Sequence, residues 1–175
     1  MERGFVLWFT GLPASGKTTV ASIVKEELLG IGRRVELLDG DVLRRDLDPE
    51  IGFSPEDRAI HIRRVAYVSE LLARNGVAVL VGLVSPYIHT RASARELVGD
   101  KFIEVYVKCS LETCISRDPK GLYRRALAGE IPDMTGIGDP YEEPPNPEVV
   151  VDTEENTAEE NAAAVLAKLR ELGYI

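Results

Sequence analysis

Eight consecutive residues near the start of the chain, Gly11-Leu12-Pro13-Ala14-Ser15-Gly16-Lys17-Thr18, match the spacing G-x-x-x-x-G-K-[ST] at every defined position. Glycines at that spacing let the backbone curl so that successive N–H groups point into one anion cavity. A helix opening at the end of the loop would add its N-terminal partial positive charge. Lys17 is then placed to bridge the β- and γ-phosphates of a nucleoside triphosphate, the Thr18 hydroxyl to ligate Mg²⁺, and Thr19 to lie near the α-phosphate. The bland alternative is a glycine-rich turn that happens to carry a lysine. The context favours the phosphate site, because an apolar run, Phe5 to Phe9, precedes the loop and a helical pattern follows it.

A phosphate loop alone does not name a reaction. Motors and switches usually place an acidic partner after a later strand, but here the run Val77 to Val84 ends in Ser85-Pro86 with no acid at its tip. Acid stands instead after the second strand, as Asp39 and Asp41. There Asp41 can orient or deprotonate an attacking hydroxyl, and Asp39 can order water around Mg²⁺. Asp-Gly-Asp is also good turn chemistry, and that reading stays open. Arg44 follows Asp41 by three, sharing a face if a short helix forms, and Arg58 and His61 are one turn apart. Two arginines beside a phosphate site suggest an anionic acceptor held by paired N–H donors, against the usual outcome of a solvated surface arginine. His61 alone is more often structural than catalytic. Phe53 is placed to stack on a flat ring or to plug the core.

The elements that must position these groups alternate. Phe5–Phe9, Val35–Leu38, Val77–Val84, Phe102–Val107 and Val149–Val151 read as strands, the longer ones apolar throughout, as in a sheet covered on both faces. Helices are expected from Thr18 to Leu29, from the Ser54-Pro55 cap to about Asn75, and after the Thr157/Glu160 capping box. The Gly- and Pro-rich stretch from Gly129 to Pro147 predicts a long irregular segment, usually a lid or a disordered loop. The expected fold is α/β, a three-layer P-loop NTPase fold with a mainly parallel central sheet between helix layers. One domain is expected over residues 1–175, with a lid at about 117–147.

The 175 residues carry a net charge of −8, which argues against nucleic-acid binding through a generally basic surface. Cys109 and Cys114, the only cysteines, exclude a disulfide scaffold and a thiolate zinc site and read as buried or incidental thiols. No apolar run approaches the roughly 20 residues of a membrane span, and the N-terminus does not read as a signal peptide. A cytoplasmic protein is expected. The absence of Gln hints at a hot-living source.

Taken together the motifs resemble the adenylylsulfate kinase family, nearly end to end. The similar stretches are Gly11 to Thr19, Leu38 to Asp41 with Arg44, Ile51 to Arg58, Ile62 to Arg64, Ser85 to Tyr87, Arg117 to Tyr123, Thr135 to Ile137, Pro140 to Glu142, and Pro147-Glu148. The resemblance implies MgATP phosphorylating the 3′-hydroxyl of adenosine 5′-phosphosulfate (APS), giving 3′-phospho-APS (PAPS) and ADP in sulfate activation. It implies an acceptor site of Arg44, Phe53, Arg58, Val84, Ser85 and Lys120 beside Asp41, with Arg117 near the nucleotide and the Asn156-Thr157 turn near the ATP adenine. Relatives are often dimers, which makes a homodimer possible. Ser85 matches a serine described in the family as a phosphoenzyme intermediate. No base is evident in Gly82 to Tyr87 to activate it, so direct in-line transfer with Ser85 positioning APS is expected.

Four positions depart from the family pattern. His61 stands where Asn is usual, so that one hydrogen bond to the acceptor would come from an imidazole and can become pH-sensitive. Met134 replaces an aromatic that would pair with Phe53 around the APS adenine, Val42 an Asn, and Ile88 a polar or basic residue. Two other readings are compatible with the motifs: a related small-molecule kinase with another acceptor, and a non-catalytic ATP-binding regulator.

Overall fold

Phe5 to Thr10 form strand β1, and none of its six side chains reaches solvent. A fully buried strand requires cover on both faces, and the rest of the chain supplies it. In order follow α1 (Lys17–Gly30), β2 (Val35–Asp39), α2 (Gly40–Asp46), α3 (Pro55–Arg74), β3 (Ala78–Gly82), α4 (Ile88–Val98), β4 (Phe102–Lys108), α5 (Leu111–Arg117), α6 (Leu122–Leu127), β5 (Val149–Asp152) and α7 (Ala158–Glu171). The computed structural model describes residues 3–175. The five strands form one sheet in the order β2-β3-β1-β4-β5, every pair parallel.

Alternation along β1 divides the core. Phe5, Leu7 and Phe9 face α1 and α7, where Val20, Val24, Leu28, Val165 and Leu169 meet them. Val6 and Trp8 face the other side, packed with Ile62 and Val65 of α3 and Ala94 of α4. A third, smaller core of Cys109, Cys114, Tyr123, Ala126 and Met134 lies outside the sheet. Both cysteines are free and buried, as expected, and burial pushes the Cys114 thiol up to about 12.

The α/β architecture with a parallel sheet between helix layers is the expected one. The strand expected over 77–84 spans Ala78–Gly82, shorter at both ends, and beyond it Ser85 adopts φ +40°. Helices α4, α5 and α6 lie in stretches for which no element was expected. Between α6 and β5 the described regular structure is an isolated bridge between Thr135 and Asp139. A tight turn sits there, with the Met134 carbonyl accepting from the N–H groups of Ile137, Gly138 and Asp139. No described helix is long and apolar enough to cross a membrane.

Candidate active site

Because all strands run the same way, their C-terminal ends open onto one edge, where ligands bind in such sheets. β1 delivers the loop 11–16, β2 delivers Asp39 to Asp41, β3 delivers Val84 and Ser85, and β4 delivers Cys109 and α5. A continuous cleft of about 1060 Å³ runs along this edge.

At one end is the phosphate loop. Gly16 caps α1 in the left-handed region at φ +102°, a conformation glycine adopts without steric cost. A Cβ on Gly11 would come within 2.6 Å of the Val107 carbonyl oxygen, so the loop rests directly on β4. Lys17 Nζ donates to the carbonyls of Gly11 (3.0 Å) and Leu12 (2.7 Å), folding back over the loop. Burial lowers its pKa to about 8, a position that negative phosphate oxygens would reverse. Pro13, Ala14, Gly16, Thr18 and Thr19 line the cleft with it, whereas Gly11, Leu12 and Ser15 lie behind that surface. Leu12 packs against the third core and Ser15 is fully buried.

The floor is held by Thr153 and Tyr123, which the sequence reading did not single out as site residues, together with Arg117, which it did. Thr153 Oγ1 donates to the Ser15 carbonyl at 2.8 Å, and Arg117 reaches Thr153 O (2.7 Å) and Oγ1 (3.0 Å). Tyr123 donates to the Pro13 carbonyl at 2.9 Å. Arg117 and Asn156 line the cleft as expected. Thr157 is not among its lining residues: its hydroxyl accepts from Glu160 N–H (3.2 Å) and its own N–H donates to the Glu160 carboxylate (2.8 Å), which closes the capping box of α7.

In the middle stand the two aspartates. Asp39 Oδ1 accepts from the N–H groups of Asp41 (3.0 Å) and Val42 (3.3 Å), so it caps α2. The turn reading of Asp-Gly-Asp therefore holds for Asp39, while both carboxylates still line the cleft. Asp41 is exposed and pairs with Lys120 from the segment after α5.

Arg44, Phe53, Arg58, His61, Val84, Ser85 and Met134 line the far end together. The short helix α2 forms and carries Arg44 beside Asp41. Arg44 Nη1 donates to the Gly52 carbonyl (2.7 Å), and its guanidinium lies 4.8 Å from the Phe53 ring centre. Its pKa is lowered by burial and by the neighbouring Arg58. Arg58 is buried, and it ties α3 to the 117–147 segment through the Asp133 carbonyl (2.7 Å), Thr135 Oγ1 (3.1 Å) and Asp139 (3.6 Å). Phe53 leaves 60% of its surface exposed, the condition of a stacking platform rather than a core plug. Met134 is buried in the third core, with part of its surface on the cleft. Val42 and Ile88 are both exposed and outside the cleft lining.

Ser85 Oγ accepts from Trp8 Nε1 at 3.1 Å and lies 3.5 Å from the Leu83 carbonyl oxygen; neither neighbour is a general base. The loop around it is fastened from behind. Thr10 donates to the Val84 carbonyl (2.7 Å), and the buried Arg91 donates to the Ser85 carbonyl (2.6 Å) and to Glu104 (2.9 Å). His61 is 3% exposed, with Nδ1 against Asp48 and Nε2 lacking a partner among the described residues.

A phosphate loop at one end of a cleft, an acidic turn at its middle and an arginine-walled pocket at the other end define a P-loop phosphotransferase. The sequence matches the adenylylsulphate kinase family over residues 3–152. It is 51% identical to the adenylyl-sulfate kinase of Picosynechococcus sp. over 174 residues, covering 99% of this chain and 98% of that one. The fold superimposes on the Mycobacterium tuberculosis APS kinase, solved in complex with AMPPNP and APS, with a TM-score of 0.94 at 43% identity, over 97% of this chain and 99% of that one. It also matches the hexameric APS kinase from Thiobacillus denitrificans, with a TM-score of 0.75 at 29% identity, over 99% of this chain and 30% of that one. The chain belongs to the adenylylsulphate kinase family, and it is an ATP-dependent phosphotransferase with an alcohol group as acceptor.

Proposed function

We propose that the cleft works as a two-substrate site in which the γ-phosphoryl group of ATP moves to the 3′-hydroxyl of APS, releasing PAPS and ADP. The observation that carries this reading is the continuity of the cleft: Lys17 and Thr18 at one end, Arg44, Phe53, Arg58 and Ser85 at the other, and Asp41 between them. An acceptor hydroxyl held beside Asp41 lies on the path to a phosphate held by the loop, and such positioning supplies much of the rate in phosphoryl transfer.

Lys17 and the loop N–H groups take the β- and γ-phosphates, and Thr19 the α-phosphate side. Arg117 and Asn156 flank the nucleoside. Arg44 and Arg58 hold the phosphosulfate anion by paired N–H donors, with Lys120 from the lid. Phe53, Met134 and Val84 receive the adenine of APS. Asp41 accepts the hydrogen bond of the attacking hydroxyl and fixes its direction.

The donor set suits Mg²⁺: the Thr18 hydroxyl and the Asp39 and Asp41 carboxylates share one cavity and are all hard oxygen groups. Bound there, Mg²⁺ neutralises charge on the transferring group. The segment 117–147 acts as a lid on a single kinase domain, latched to α3 through Arg58. Transfer is direct, with Ser85 positioning APS. A homodimer is the assembly the resemblance makes possible; the oligomer named for the Thiobacillus relative is a hexamer and supports self-association without fixing the number of copies.

The test is ADP release from MgATP with and without APS, with the nucleotide product identified in the same tube. ADP that appears only with APS, together with a 3′-phosphorylated product, is the expected result. ATP binding without APS-dependent turnover would overturn the reading.

A further inference from the structure

His61 is the one buried group at the acceptor end whose chemistry is unfinished. Its Nδ1 meets Asp48, which is itself 1% exposed and whose second oxygen takes Arg64. A carboxylate held by Arg64 can only accept, so Nδ1 carries the ring proton and Nε2 is left as a bare lone pair. That nitrogen is buried with no partner among the described residues, on a side chain that is itself one of those lining the cleft. A buried acceptor left unsatisfied costs free energy that a ligand can recover.

The charged groups around the ring come from every element packed on it. Arg58 and Arg64 share α3 with it, Arg44 lies on α2, and Asp48 lies on the loop between them. Farther out, Glu50 pairs with Arg64, Asp57 lies near Arg44, and Asp139 pairs with Arg58. The positive charge of Arg44 and Arg58 marks this end as the place for an anion, and a bare lone pair facing an anion is repulsive. Protonated, the same nitrogen becomes a charge-assisted donor.

We propose that His61 binds the phosphosulfate group of APS as an imidazolium, taking one proton from solvent onto Nε2 as the anion enters, with Asp48 as the positioning residue that holds the ring. The step forms an N–H bond at Nε2 from a solvent proton and breaks no bond in the substrate. It rests on the assignment of APS as acceptor and adds to it a proton linkage and a specificity element. In the free protein, burial keeps the ring below its ordinary pKa despite Asp48, so the ring is neutral before the anion arrives. The entering negative charge opposes that burial and raises it.

The sign of the linkage follows. A group whose pKa rises on binding strengthens binding as pH falls through the window between its free and bound values. Calorimetric titration of the full chain with APS, in the presence of AMPPNP, is expected to show affinity improving about tenfold for each pH unit of acidification within that window. Buffers of different ionisation heat should report uptake of close to one proton per APS. His61→Asn is expected to abolish the slope and the proton uptake while still binding APS. Asp48→Asn, which removes the charge that supports the imidazolium, should move the window to lower pH. Should either variant fail to fold, as judged by ATP binding, the proton count on the unmodified protein still decides.

Affinity independent of pH would overturn the proposal. So would affinity that falls on acidification, the signature of a neutral Nε2 accepting from a ribose hydroxyl or the adenine amine. In both cases APS still binds and is turned over, so the assignment of APS survives. Failure of APS to bind at any pH would overturn that assignment as well.

Discussion

At the nucleotide end of the cleft the groups proposed to meet phosphate are largely main-chain N–H groups between Gly11 and Thr18, clamped between β1 and α1 and resting on β4. At the acceptor end they are side chains, Arg44, Phe53, Arg58 and His61, hung on two helices and the loop joining them. A backbone cradle depends on conformation and on a few glycines, so most of its side chains are free to change without altering what it binds. A side-chain pocket changes its ligand one residue at a time. In the proposed site, recognition of the triphosphate therefore resides in the fold, and the choice of acceptor in positions such as 53, 61 and 134.

This contrast can be broken or sharpened by substitution. Lys17→Ala removes the one charged side chain the cradle needs, and turnover is expected to fall by about a thousandfold or more. Near-normal activity in that variant, in a steady-state ADP assay, would remove the phosphate-loop assignment altogether. Asp41→Ala sits at the boundary between the two ends. It should lower turnover by about 10²–10⁴-fold while ATP affinity changes little, and equal loss of both would make Asp41 a structural residue of α2.

Arg58→Ala tests the acceptor end and its latch together. We expect KM for APS to rise about ten- to a hundredfold with KM for ATP nearly unchanged, and the 117–147 segment to be cut faster by protease. Ser85→Ala is the smallest. A hydroxyl that only positions APS is worth less than about tenfold in turnover, with about 1–3 kcal/mol lost from stability as the buried Trp8 N–H loses its acceptor. Collapse of turnover at unchanged melting temperature would instead restore a phosphoserine intermediate.

The two ends also differed in how far they could be read from the chain. Gly11 to Thr18 announces itself because its chemistry is local: loop, strand and helix are contiguous, and spacing alone specifies them. The sheet was legible for a similar reason, since strands buried on both faces leave unbroken apolar runs such as Phe5 to Phe9. Asp48 was missed. It precedes Pro49 in a stretch that reads as turn, and its partners His61 and Arg64 lie one helix away in sequence. Thr153 was missed likewise, because its contacts with Ser15 and Arg117 join segments far apart in the chain. The dual nature of Asp39 was only half legible: its turn chemistry showed in sequence, but its bond to the α2 N-terminus required coordinates. Helices α5 and α6 escaped because they are 7 and 6 residues long, too short for a periodic apolar stripe.

The placement of β1 bears on synthesis as well as on catalysis. The ribosome releases this strand early, yet its neighbours begin at Ala78 and Phe102. Until β3 has emerged, the apolar run Phe5 to Phe9 has no strand to pair with, and its second flank stays open until β4 follows. Pairings this distant along the chain are slow to form, and an apolar strand that waits for them is exposed to aggregation. A nascent chain arrested before Ala78 should therefore bind a chaperone that recognises extended apolar segments, and one released beyond Asp152 should not.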